Sequence, residues 1–249
     1  MDIKIMGTVG AGSSNAVLPA LICGIFTAYL PLSASHDSEI NMMMIDLINN
    51  EEPFKAFALL ADINSYTKIV AVSEAQNNRV AKYISDILIG GVMAVEKNNG
   101  LVVGFAGDQF LALFKTVEEV YMSVHALAKD LDEICEYIAG TDSFIHVDNG
   151  IKIKVAIEFG QIDLTSISTK FLGTQKLFAG STINYASRIL NAGEGNRCNV
   201  GPSAYKKGLS QYIDSDRRIF EAKDKIPYEY YNLDFDGVWR NDHMESYWG

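Results

Sequence analysis

Residues 54–64, FKAFALLADIN, constrain the fold more than any other stretch of the chain. Apart from Lys55, every residue up to Ala61 is apolar, with neither the alternation of a half-exposed strand nor the stripe of a surface helix. Such a run reads as a central strand covered on both faces. A strand of that kind needs neighbours on both edges and packed layers above and below. The run stops at Asp62. A carboxylate where a buried strand meets a loop is costly unless a positive group or ion sits beside it.

The remaining periodicities supply those neighbours. Apolar residues recur at a helical interval at Val80, Ile84, Ile87, Leu88, Gly91, Val92 and Val95. LVVGFAGDQFLALF, residues 101–114, reads as two strands joined by a tight turn at Gly107-Asp108. On its own, that turn explains Asp108. Residues 117–138 form a helix with Val117, Val120, Tyr121, Val124, Leu127, Leu131, Ile134 and Ile138 on one side. IKIKVAIEFGQIDL alternates from Ile151 to Ile157, a strand with one solvated or ligand-facing side. FLGTQKLF is a short strand, STINYASRILNAG a helix opened by Ser181 and closed by Gly193, and PYEYYNLDF a last strand. This order predicts an α+β fold of the ferredoxin-like kind, an antiparallel sheet with helices on one face. The expected domain spans residues 51–235, with an extension at 1–50 and a polar tail at 236–249.

Charge and cysteine usage narrow the function. The net charge is −10 and no basic stripe is present, so a nucleic-acid partner is not expected. Cys23, Cys135 and Cys198 are far apart and show no CxxC spacing, which predicts neither a disulfide framework nor a zinc site and suits a reducing cytoplasm. IKIMGTVGAGSS near the start looks like a strand and glycine loop, but no second strand and acid follow as a dinucleotide fingerprint needs. The favoured reading of the first forty residues is an extension without regular structure, with Met42, Met43 and Met44 each able to begin the chain. The rival reading is a membrane contact through residues 16–33, which are apolar but short for a span.

Two acids and one turn then form a pattern. Asp62 ends a central strand. Ile63 to Thr67 can present backbone N–H groups to a phosphate. Asp108 sits at a hairpin tip. If the hairpin lies beside the strand, both carboxylates can share divalent ions, the hardware for in-line attack on a phosphate.

FALLADINSYTK, VVGFAGDQFLALF, VAIEFGQI and GSTINYASRIL, in that order, resemble the catalytic domain of the class III nucleotidyl cyclases. The resemblance covers roughly residues 53–235. It implies a metal set of Asp62, Ile63 and Asp108 for two divalent ions, Mn²⁺ or Mg²⁺. It implies a head-to-tail homodimer whose composite sites take Asn184 and Arg188 from the second copy, four residues apart on one helix face. There Asn184 fixes the ribose and Arg188 offsets charge on the α-phosphate. Lys223 and Lys225 are carried over as holders of the triphosphate.

The chain departs from the family pattern at the base. Where purine-specific members carry a lysine or glutamate four positions before the second acid, it has Gly104. Where they carry a polar residue before the late helix, it has Leu177. A site without polar groups to match adenine loses its preference for it. Tyr66 stands where phenylalanine is usual and offers a ring and a hydroxyl to a smaller base. In these respects the chain resembles the bacterial pyrimidine cyclases of the Pycsar antiphage system, which make cyclic UMP or cyclic CMP. UTP or CTP is therefore the expected substrate. The alternatives are an adenylyl cyclase with an atypical base pocket and a non-catalytic nucleotide-binding or dimerisation module on the same fold.

Overall fold

The computed structural model describes residues 26–28, 39–64, 80–141, 152–170, 173–192, 197–213, 216–223 and 225–234. In chain order these form β1 (Phe26–Ala28), α1 (Glu39–Asn49), β2 (Phe54–Asn64), α2 (Val80–Lys97), β3 (Leu101–Ala106), β4 (Gln109–Phe114) and α3 (Val117–Thr141). Then come β5 (Lys152–Thr169), β6 (Gly173–Ala179), α4 (Ser181–Leu190), β7 (Arg197–Val200), α5 (Pro202–Lys207), a 3-10 turn (Leu209–Tyr212), β8 (Arg218–Glu221) and β9 (Pro227–Asp234).

The apolar run is a central strand, as its composition predicts. β2 pairs antiparallel with β4 on one edge and with β5 on the other. β3 and β4 form the expected hairpin around Gly107-Asp108. Gly107 takes φ +66°, which a side chain resists, and it stands first in a two-residue turn whose twist matches the flanking strands. The order β3-β4-β2-β5 is the ferredoxin-like core of a nine-stranded sheet. β5 is longer than its alternating pattern suggested. Its first part pairs with β2 and its second part with β6. β7 joins β5 in a parallel pair, and β9 and β8 extend the sheet beyond it.

Helices cover both faces of the sheet, where the sequence reading put them on one. Phe57, Leu59, Ala61 and Ile63 pack with α2 and α3 through Ile87, Val95, Val120 and Val124. The alternate residues Ala56, Ala58 and Leu60 pack with α1 and α4 through Met44, Ile48, Ile183, Ala186 and Ile189. The reason lies in β2 itself: a strand apolar at successive positions exposes one apolar set unless each face is covered. Met44 is a buried side chain of α1, and Met42 and Met43 are exposed on the same helix. The reading of a membrane contact at 16–33 falls mostly on residues outside those described. No helix among the described residues is long and apolar enough to cross a membrane.

α4 is fastened at three points. The Thr182 hydroxyl donates to the Gln161 carbonyl at 2.9 Å. The Tyr185 hydroxyl donates to the Glu229 carbonyl and accepts from the Glu229 N–H, both at 3.0 Å. The Asn199 amide donates to the carbonyls of Ile189 and Ala192 at 2.7 and 2.6 Å, closing the helix end. β7 and α5 are joined at Gly201 over a buried acid, Glu158. Its carboxylate accepts from the N–H groups of Phe159 and Ala204 at 2.8 and 3.1 Å. Burial raises its pKa against these bonds. A Cβ at Gly201 would overlap the Glu158 carboxylate. Gly201→Ala should therefore destabilise the domain by about 1–3 kcal/mol through overpacking, read as a lower urea midpoint with unchanged slope. An unchanged midpoint would mean that Glu158 is not held there.

Candidate active site

Asp62 is the last acid-bearing position of β2 before the chain leaves the sheet, and its register partner on β4 is Gln109. Gln109 follows the hairpin tip directly. The ladder therefore sets Asp108 beside Asp62, and the Ile63 N–H donates to the Asp108 carbonyl at 3.4 Å. The Asp108 and Gln109 side chains both lie near enough to Asp62 to shift its pKa, in opposite directions. Desolvation, with repulsion from Asp108 next, pushes the Asp62 pKa up to about 6, against the Gln109 bond and the Lys154 charge.

Two half-buried acids this close are a poor arrangement for an ion-free protein. Their hard oxygen donors suit a divalent cation of the Mg²⁺ or Mn²⁺ kind. Ile63 has its side chain in the core, so any part it takes falls to its main chain. Among the described residues no group of three or more His, Cys, Asp or Glu gathers, so the remaining ligands of such a cation would come from substrate or water.

The other expected residues are placed less compactly. Tyr66 and Thr67 lie outside the described residues. Asn184 is exposed and Arg188 half-buried on α4, whose buried side is Thr182, Ile183, Ala186, Ile189 and Leu190. Gly104 is buried in β3, just past a bulge at Val102/Gly104, a place in a strand that glycine suits. Leu177 is half-buried on β6. β1 runs between these two strands, and its Thr27 is in register with both Phe105 and Leu177. Lys223 and Lys225 are exposed, before β9 begins at Pro227. The acids' end of the sheet is marked by the row Asp62, Lys154, Arg197, Asp234. Asp234 is the far end of β9, so the two lysines lie about 20 Å or more away along the strand. A single chain does not bring them to its own acids.

One cation that sequence reasoning passed over stands at the acids. Lys154 is the direct partner of Asp62 on β5, and its charge is felt there. The signal was present: the alternation in IKIKVAIEF puts Lys154 on the side of the strand opposite to Ile153 and Val155.

The two acids share one end of a ferredoxin-like sheet, and comparison specifies the family that carries this fold. Residues 50–235 match the family model described as the adenylate and guanylate cyclase catalytic domain, and the chain belongs to that family. No curated protein matches. Among solved structures, the guanylyl cyclase Cya2 is 15% identical at a TM-score of 0.60, over 73% of this chain and 92% of that one. The adenylyl cyclase CyaB from P. aeruginosa is 16% identical at 0.61, over 74% and 95%. A class III adenylyl cyclase-like ATP-binding protein from Pseudomonas aeruginosa is 18% identical at 0.56, over 76% and 40%. At these identities the likeness is one of fold, and the three names do not agree on a base or on catalysis.

The raised pKa of Asp62 has a stability consequence. Its folded value lies above the unfolded one, so its contribution favours folding below about pH 4 and is lost as the pH rises through about 6. Asp62→Asn should therefore stabilise the metal-free protein at pH 7.5 by about 1–2 kcal/mol after allowance for partial exposure, or about 2–6 °C in Tm. The gain should fade at pH 4. Equal destabilisation at both pH values would refute the crowded acid pair.

Proposed function

We propose that this chain is a nucleotidyl cyclase acting on a pyrimidine nucleoside triphosphate, UTP or CTP, and that its cyclic product is a signal in bacterial antiphage defence. The observation that carries the catalytic part is the closeness of Asp62 and Asp108 at one strand end, set by the β2–β4 register and the Ile63–Asp108 backbone bond. The pyrimidine part rests on Gly104 and Leu177, which offer no side-chain polar atom to a purine edge.

When bound, the two divalent ions supply Lewis acidity toward the ribose 3′-hydroxyl and the triphosphate. Asp62 and Asp108 hold them. The 3′-oxygen forms its new bond to the α-phosphorus, the bond from that phosphorus to the β-bridging oxygen breaks, and the hydroxyl proton passes to solvent. Pyrophosphate carries away the electron pair. Lys154, on the strand beside Asp62, pairs with a phosphate oxygen. Charge grows on the α-phosphate as the bonds exchange, and Arg188 of the partner subunit neutralises it, while Asn184 of the partner subunit orients the ribose. The exposure of Asn184 and the fastening of α4 support this division of labour, because a helix pinned on its inner side presents a fixed outer one. The adenylyl alternative is favoured by no residue at the base positions.

Purified protein with Mn²⁺ and each of the four nucleoside triphosphates should release cyclic UMP or cyclic CMP in excess over the purine products. Predominant cyclic AMP would end the pyrimidine reading. Nucleotide binding without pyrophosphate release would identify a non-catalytic module. Asp62→Ala and Asp108→Ala should each lower turnover at least about 100-fold. Asp108→Ala and Arg188→Ala should both be inactive alone and regain activity when mixed, since one composite site in the mixed dimer is intact. No recovery after proven subunit exchange would place the site within one chain.

A further inference from the structure

The end of the sheet that holds the acids also holds a second like-charge pair. Lys154 on β5 is the register partner of Asp62, and Arg197 on β7 is the register partner of Lys154. Residues directly opposite on neighbouring strands send their side chains to one face. Asp62, Lys154 and Arg197 therefore stand in one row. The face is that of α4, because Asn199, two residues along β7, bonds the end of that helix.

Lys154 and Arg197 repel each other in these positions, as like charges opposite one another do. Arg197 is half-buried, and its other neighbour in the row is Asp234 at the end of β9. The two cation positions stand between two acid positions in the row, Asp62 on β2 and Asp234 on β9. A metal–polyphosphate whose cation is held at Asp62 would lay its anionic oxygens along Lys154 and Arg197. Strand spacing puts Arg197 about 10 Å from Asp62 along the row. That reach suits an extended polyphosphate better than a single phosphate. A guanidinium also binds phosphate oxygens two at a time, which an ammonium does not.

We propose that Arg197 is a substrate-binding residue that, with Lys154, clamps the outer phosphates of the triphosphate in the same subunit as the acids. The assignment rests on the cyclase reading for its substrate but not for its chemistry. The bland rival is that Arg197 only offsets the negative end of α4.

The test uses the full chain, Mn²⁺ and inorganic tripolyphosphate, pyrophosphate or phosphate as probes in titration calorimetry. Arg197→Gln should weaken tripolyphosphate by about 10–100-fold, pyrophosphate less and phosphate hardly at all, while Arg197→Lys recovers part of the loss. In turnover, KM for the nucleotide should rise by a similar factor with kcat changed less. Arg197→Met, which retains the stem but no charge, replaces the Gln variant if that one does not fold. Unchanged tripolyphosphate affinity and KM would overturn the proposal. So would an equal loss for all three probes together with a fall in Tm, which is the mark of a helix-end role. If no nucleotide is cyclised yet the graded polyphosphate effect appears, the cyclase reading fails and the clamp stands.

Discussion

Two carboxylates are held close together at the end of the most buried strand in the domain, and the surrounding architecture makes that closeness possible. Desolvation and the neighbouring Asp108 raise the pKa of Asp62, against the charge of Lys154 beside it. The ladder between β2 and β4 keeps Asp62 opposite Gln109, and the tight turn before Gln109 sets Asp108 beside it. A one-residue slip in that register would turn the whole apolar set of β4 to the wrong face, so the core and the acid pair stand or fall together. The cost of crowding the acids is borne by the two apolar layers on either side of β2.

The same strand end shows how a sheet can encode a charged ligand. Going across the strands from Asp62, the row meets Lys154 and then Arg197. It ends at Asp234 on β9, so two basic positions stand between two acidic ones. Under the proposed clamp, a metal-bound polyphosphate lies along this row with its cation at the Asp62 end. Asn184 and Arg188 belong to a different layer. They ride on α4, which is bound to β5, β7 and β9 through Thr182, Asn199 and Tyr185, with Asn184 exposed and Arg188 half-buried. The proposed composite site would use that separation by having each copy complete its neighbour's.

Much of this was legible before any coordinates. β2, the β3–β4 hairpin, α2, α3, α4 and β9 follow from apolar periodicity and turn chemistry, because each is long or strongly patterned. The segment from Arg197 to Glu221 was not read. Its strands have four residues each and its helix six, too short for any period to emerge. β7 is also held by a parallel partner far away in sequence, and such pairing leaves no local trace. α1 was set outside the domain because its methionines looked like start sites, and only packing shows Met44 and Ile48 in the core.

What the sequence determined by itself was the identity of the acids and the strand that carries one of them. An apolar run broken by Asp62, and a hairpin whose tip is Asp108, are local facts, set by side-chain type and backbone preference. What tertiary structure alone decided was which groups meet. The closeness of Asp62 to Asp108, the place of Lys154 and Arg197 in the same row and the distance of Lys223 and Lys225 all depend on strand order and register. Those are properties of pairing between segments distant along the chain, and no residue carries them on its own.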